Sequence, residues 1–465
     1  MNGQIVMKDG EDFVHSLNKG QAKAVILDPS EAMGAISILE PKWRVDENRK
    51  LSFPDIPSLD MIVPFDVRRD GSQKIASPLN GIEKSLSLDD LKAGTETVAA
   101  DLKPDDVCAY MCTSGSTGFF KLVEFNHERL LEYGHRFAET LEMKETDIYC
   151  NDRPLGWMGG YPVMYVATGC TRVCTDNSLG RHHNYPDFML DLLVREGCTK
   201  MYTVPHSLGA LVREAAKKDI GGYRLHICGV GSGPVSRAHM KAIGVVADAV
   251  LAVYGCTEAG IPTTKKVTEP SAYEDMCVGL PTSGTQVKVV DDDLRELPNG
   301  QRGEILLKTS QSSMRYVNAD ASTRETFLDH GWIRLGDSGV KNDGGELFVV
   351  GRKKFAILRG PFVIYPDQME QRILQCPGVA GAAVAGVPDP VLHEELCACV
   401  IREQGASLTE EELRGFCQKL FINSENGELN PMPGYFLFLD ALPFNVSGKL
   451  DRMALKAKAK SMLRL

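Results

Sequence analysis

Between about residues 100 and 350, short apolar runs alternate with stretches whose apolar positions recur at helical spacing. Arg224-Leu-His-Ile-Cys-Gly229 reads as a strand leading into a glycine turn. Ser236 then caps a predicted helix over Ser236–Ile243. This alternation predicts a layered α/β body. From 279 to 350 the pattern changes to short β-rich segments: Gln286–Val290, Gly303–Glu304–Ile305–Leu307 and Glu346–Val350. Asp-Asp-Asp, Pro-Asn-Gly and Asn-Asp-Gly-Gly turns separate them, so a β-barrel-like element is expected. Past Gly351-Arg-Lys-Lys354 a smaller α+β unit is expected, with strands over 379–387 and 396–401. Thr409-Glu-Glu-Glu412 is a capping box, opening a helix whose Leu413, Phe416, Cys417 and Leu420 share a face. The expected division is a large domain over 1–353 and a small mobile domain over 354–465.

Composition bounds the function. At 465 residues and 43% hydrophobic, the chain can bury substantial cores. A net charge of −10 argues against nucleic acid as the main partner. Runs such as Asp248–Tyr254 are too short to span a bilayer, and Met1–Asp9 lacks the basic and apolar regions of a signal peptide. A cytoplasmic protein is expected, with a peroxisomal address in Leu463-Arg464-Leu465 as the alternative. The 13 cysteines include no Cys-x-x-Cys pair and read as reduced, mostly buried thiols. His182-His183 and the basic run Lys456, Lys458, Lys460 and Arg464 read as solvated surface.

The sharpest chemistry lies in Thr113-Ser114-Gly115-Ser116-Thr117-Gly118, followed by Lys121. Glycines let successive backbone N–H groups face one anion, hydroxyls add donors, and the lysine adds charge: a phosphate cradle after a strand. It is not a Walker loop, since Gly118 precedes Phe119 and Gly448-Lys449 precedes Leu450. The dinucleotide fingerprint also fails, because Pro234 stands where the third glycine belongs. No Gly-x-Ser-x-Gly elbow offers a hydrolase nucleophile.

The cradle resembles the signature of the adenylate-forming enzymes: acyl-CoA and aryl-CoA synthetases, luciferases and peptide-synthetase adenylation domains. Four further segments resemble that family in order: Tyr254-Gly255-Cys-Thr257-Glu258, Gly331-Trp…Gly336-Asp337, Gly351-Arg352-Lys-Lys354…Pro366…Glu370, and Pro443…Gly448-Lys449…Arg452. Weaker likenesses to acyl-pocket segments cover Pro154–Gly160, with Trp157, and Gly231-Ser232-Gly-Pro-Val235. The resemblance implies attack of a carboxylate on the α-phosphate of Mg-ATP, giving an acyl-adenylate, then thiol attack by CoA after the small domain swings. It further implies that the 113–118 loop and Lys121 hold phosphates, that Thr257 holds the α-phosphate, and that Glu258 binds Mg²⁺. Tyr254 would lie against adenine beside Gly255, and Asp337 would accept the ribose hydroxyls. Arg352 would reach ribose or phosphate, Lys354 would mark the hinge, and Lys449 would bridge the carboxylate and the nucleotide.

Four substitutions depart from the family pattern. Phe120 replaces a proline, Leu335 a threonine and Gln368 a glutamate. Pro361 stands where the family has a glycine lining the pantetheine tunnel, and proline fixes φ and removes an N–H. The family also carries more sequence ahead of Gln21–Leu27, so a shortened first subdomain is expected. Two alternatives follow for a small-acid ligase of this type: adenylation or carrier-protein loading without CoA transfer, and nucleotide or acyl binding with impaired turnover.

Overall fold

The computed structural model describes residues 10–27, 44–45, 51–59, 61–64, 101–113, 121–151, 153, 158–174, 185–360, 362–421, 432–444 and 449–465. Its strands in chain order begin with β1 Ala24–Leu27, β2 Arg44–Val45, β3 Leu51–Ser52, β4 Met61–Pro64, β5 Val107–Cys112, β6 Leu122–Asn126, β7 Ile148–Asn151 and β8 Thr171–Val173. They continue with β9 Lys200–Thr203, β10 Ile227–Gly231, β11 Val250–Cys256, β12 Gly260–Val267, β13 Cys277–Pro281, β14 Thr285–Val290, β15 Arg302–Thr309, β16 Ile333–Lys341 and β17 Leu347–Arg352. The last five are β18 Ile357–Arg359, β19 Phe362–Ile364, β20 Val379–Asp389, β21 His393–Arg402 and β22 Tyr435–Phe438.

Eleven strands form one sheet in the order β14-β15-β16-β17-β13-β12-β11-β10-β9-β7-β8. From β8 to β11 the pairs are parallel, and helices cover both faces. On one face Met189, Leu192 and Leu193 from helix Tyr185–Arg195, with Leu208 and Leu211 from helix Pro205–Ala215, pack on Cys228 and Val230. On the other, Leu130, Tyr133 and Phe137 from helix His127–Thr140 pack on Tyr202, Ile227 and Val253. That helix is capped by Asn126, whose Oδ1 accepts the Arg129 N–H at 2.8 Å. The expected layered α/β body is therefore present.

From β11 onward every pair is antiparallel. The barrel-like element expected here is an open, curled extension of the same sheet, and no closed barrel forms among the described residues. Alternation and turn residues specify antiparallel strands but not whether the last strand meets the first. The curl is nonetheless sharp. Tyr254 on β11 and Asp337 on β16 are separated by β12, β13 and β17. Four interstrand steps of about 4.8 Å would hold them roughly 19 Å apart in a flat sheet. Yet the Tyr254 hydroxyl donates to Asp337 Oδ2 at 2.7 Å. Register shifts at Tyr254/Cys256, Cys277/Gly279, Glu304/Leu306 and Ser338/Gly339 supply the bend. Ala259, Val278, Val289, Ile305, Leu307, Ile333 and Leu347 fill its inside.

Beyond the short 3₁₀ turn Lys353–Phe355, a second sheet runs β19-β18-β21-β20, with β22 beside β21. Helix Glu410–Phe421 buries Leu413 and Cys417 against it, with Phe416 and Leu420 half-buried alongside. Its capping box forms as expected: Thr409 Oγ1 accepts the Glu412 N–H at 3.2 Å, and Glu412 accepts the Thr409 N–H at 2.8 Å. The segment after Ser236 instead makes a 3₁₀ helix, Arg237–Ala242, with His239 closing back on the Ser236 N–H at 3.0 Å. All 13 cysteines are free thiols, and Cys174 is the exposed one. No helix among the described residues is long and apolar enough to cross a membrane. His182-His183 lies outside the described residues.

Gly279 lies at the β13–β17 register shift: its φ is +74°, and a Cβ there would stand 2.1 Å from the Thr264 carbonyl oxygen. Gly279→Ala should lower the unfolding free energy by about 2–5 kcal/mol, through strain plus the clash. Gly300→Ala, at φ +82° with no neighbour within 4 Å, should cost only about 1–2 kcal/mol. Equal urea midpoints for the two variants would contradict this assignment.

Candidate active site

The curl brings described residues of several sequence motifs close together. Asp337 and Arg352 are cross-strand partners on β16 and β17, and Arg352 Nε pairs with Asp337 Oδ1 at 2.9 Å. Tyr254 holds the other oxygen, so this carboxylate, 5% exposed, is anchored from both sides. The Asp337 charge is the main reason that the Arg352 guanidinium is held above its ordinary range. Burial, reinforced by Asp337, pushes the Tyr254 phenol well up, so it stays a neutral donor.

Gly255 follows Tyr254 at a close backbone approach: a Cβ there would come 2.6 Å from the Gly260 carbonyl oxygen. This packing closes the Cys256–Gly260 turn that presents Thr257 and Glu258. Glu258 is 8% exposed, and Tyr316 donates to its Oε1 at 2.6 Å. The Lys121 ammonium sits 4.5 Å from the centre of the same Tyr316 ring. Tyr316 thus links Lys121 to the Thr-Glu turn. It went unrecognised in the sequence because Arg315-Tyr316-Val317 carries no spacing signal; its role comes from an isolated bridge to Val123 beside β6.

The hairpin β5–β6 carries the cradle. Its mouth is closed by the Thr113 N–H donating to the Lys121 carbonyl at 2.9 Å. Ser114, Gly115, Ser116, Thr117 and Gly118 lie outside the described residues, as do Trp157, Phe120 and Pro361. Gly231 is buried at the end of β10, and Ser232 follows at φ +64°. A left-handed serine beside a cleft is a local strain of the kind found at ligand sites.

The C-terminal unit contributes Lys449, in the stretch between β22 and the helix Arg452–Leu463. Solvent reaches its side chain, yet protein surrounds it: burial first, then the Arg352 charge, lowers its ammonium from the ordinary lysine range, against the pull of Asp337 and Glu258. Lys354 is likewise exposed and has a pKa lowered to about 8 by burial, Arg352 and Lys121, with its ammonium 4.9 Å from the Phe355 ring centre. Lys121, Arg352, Lys354 and Lys449 therefore face one region, with Asp337 and Glu258 among them. This is a place for a polyanion. Phe444, just ahead of the lysine loop, packs on His206 of the body with ring centres 5.6 Å apart. Neither residue belongs to a motif. Behind the cleft, Arg452 pairs with Glu370 at 2.8 Å and with Asp367.

The AMP-binding enzyme family matches residues 9–317, and the AMP-binding enzyme C-terminal domain matches residues 368–449. The chain belongs to the AMP-binding enzymes. A sulfoacetate–CoA ligase from Cupriavidus necator is 29% identical over 357 residues, 76% of this chain and 67% of that protein. A fatty acid–[acyl-carrier-protein] ligase from Streptomyces coeruleorubidus is 29% identical over 376 residues, 78% of this chain and 69% of that one. The crystal structure of an anthranilate CoA ligase with anthranoyl-AMP superimposes with a TM-score of 0.81 at 20% identity, covering 100% of this chain and 83% of that chain. Family and relatives together place the protein among the AMP-forming acid–thiol ligases.

A phosphate anion entering the cleft should raise the Lys354 pKa from about 8. ATP binding at pH 8 should therefore take up protons, and the uptake should fade at pH 6.5, where Lys354 is already charged with or without the anion. Calorimetry in buffers of different ionisation enthalpy measures this, with Lys354→Ala losing much of the uptake. Identical proton linkage in wild type and variant would refute it.

Proposed function

We propose that this protein activates a small carboxylic acid with ATP and transfers the acyl group to CoA. The observation that carries the reading is the meeting of Tyr254, Asp337, Arg352 and Glu258, from the large sheet and its turns, with Lys449 from the C-terminal unit. In the first step a substrate carboxylate oxygen attacks the α-phosphorus. A new P–O bond forms, the bond to the bridging oxygen breaks, and pyrophosphate leaves with its electron pair. The chemistry is mainly the holding of like charges together. Lys449 neutralises the charge between the two anions, Thr257 holds the α-phosphate, and Lys121 with residues 113–118 holds the β- and γ-phosphates. Asp337 binds the ribose hydroxyls, Tyr254 with Gly255 faces the adenine, and Arg352 reaches ribose or phosphate.

Magnesium fits the donor set: Glu258, a buried carboxylate oriented by Tyr316, would supply an oxygen ligand of the kind this hard cation takes. When bound it supplies charge neutralisation of the phosphates. The second step is attack of the CoA thiol on the acyl carbon, with AMP leaving, after the lid of 354–465 turns about Lys354 and carries Lys449 out. The site of action is the cytoplasm. A carrier-protein thiol is the second reading, favoured by Pro361 and by the likeness to a fatty acid–[acyl-carrier-protein] ligase.

Carboxylate-dependent ATP–pyrophosphate exchange tests the first step. Lys449→Ala should reduce it by at least about a hundredfold, and Asp337→Ala comparably. Absence of exchange with every acid in a broad panel would overturn the reading, and CoA-thioester formation measured beside exchange separates the two acceptors. Phe444→Ala should cost about two- to tenfold in exchange, because the contact with His206 seats the lysine loop. The same variant should form thioester from synthetic acyl-adenylate at the wild-type rate. A parallel fall in both half-reactions would rule out that positioning role.

A further inference from the structure

The acyl side of the cleft has a feature that no motif announces. On β10, Gly229 and Gly231 point to the same face, because side chains alternate along a strand. Two glycines on one face leave a trough. On the neighbouring parallel strand β9, Tyr202 is the register partner of Gly229. Its ring lies in that trough: a Cβ on Gly229 would stand 2.9 Å from Tyr202 Cδ2, and one on Gly231 would stand 2.8 Å from the Tyr202 hydroxyl oxygen. Gly159 approaches from the other side, where a Cβ would lie 3.7 Å from Tyr202 Cε1. Phe137 meets the same ring edge-on, with centres 5.4 Å apart. Tyr202 is 6% exposed, so its ring is held rather than free to swing.

Gly159 and Gly231, one from each of the two segments that resemble the family's acyl pocket, thus both lie against this one side chain. We infer that Tyr202 is the floor of the acyl pocket and restricts the enzyme to compact carboxylic acids, excluding medium and long alkyl chains. The inference rests on the ligase reading above and names its substrate class. Space that the glycines would open beneath an acyl group is already filled by an aromatic ring. A chain extending past Gly231 meets the hydroxyl end of that ring. The cost is double: overlap with a packed side chain, and displacement of a buried phenol from its surroundings.

The test is acid-dependent ATP–pyrophosphate exchange with benzoate and straight-chain acids from acetate to dodecanoate. The wild type should be active on compact members and fall off sharply by octanoate. Tyr202→Ala should raise the octanoate-to-butyrate ratio of kcat/KM by at least about tenfold, the scale of one or two methylenes accommodated. Tyr202→Phe keeps the ring and should keep the length limit. Tyr202→Leu provides a smaller side chain should the alanine variant fail to fold, and should shift the ratio in the same direction. A wild type that uses dodecanoate as well as butyrate would overturn the inference, and so would an unchanged ratio in a folded Ala or Leu variant. No exchange with any acid would instead remove the ligase reading, and the floor assignment with it.

Discussion

Asp337 is the group on which the rest of the site depends. A buried carboxylate must be paired or it pays a large desolvation cost. Here its two oxygens are held by a strand neighbour, Arg352, and by Tyr254, which is four strands away along the sheet. Only a sharply curled sheet satisfies both. The charge, the bend and the apolar filling inside the bend therefore support one another. Losing the carboxylate would release an arginine, a tyrosine and the closure of the curl at once.

The second sheet is tied to the same place from behind. Arg452 opens the C-terminal helix and is clamped by Glu370 and Asp367, while Glu370 also accepts the Val384 N–H at 2.8 Å. Asp367 reaches the body: a Cβ on Gly351 would lie 2.9 Å from its Oδ2. Gly351 has a φ of +148° and immediately precedes Arg352, so the ion cluster of the C-terminal unit touches the strand that carries the arginine paired with Asp337. Burial, Arg452, Glu370 and Asp337 together leave Asp367 with a pKa raised to about 6, which places a readily neutralised carboxyl at this junction. On the cleft side Lys354 has a pKa lowered to about 8, by burial first and then by the Arg352 and Lys121 charges, so three cations crowd this side of the junction.

What could be read from the chain divides along physical lines. Asp337, Glu258 and Lys449 could be singled out from the chain because phosphate and ribose chemistry permits few residue types and fixed spacing marks them; the structure brings these three near one another, while residues 114–118 of the glycine-hydroxyl loop lie outside the described residues. The capping box at Thr409 was legible because capping is local. The open curl was read as a barrel because closure is decided by pairing between distant strands. The helix after Ser236 tightened to 3₁₀ because His239 turns back on the cap rather than letting the chain run on. Tyr316, Phe444 and Tyr202 were invisible, since each acts through a contact with a residue far away in sequence.

That last group shows where the molecule is rigid in chemistry and where it is free. Around Asp337 the carboxylate is held by partners on two other strands, so its substitution breaks two contacts. At β10 two glycines leave a gap, and what fills it is one ring on the next strand. A change at position 202 alters the depth of the pocket without touching the Asp337 cluster. A common adenylation site can therefore serve different acids: specificity sits in space left by missing side chains, while the charge-holding framework stays fixed.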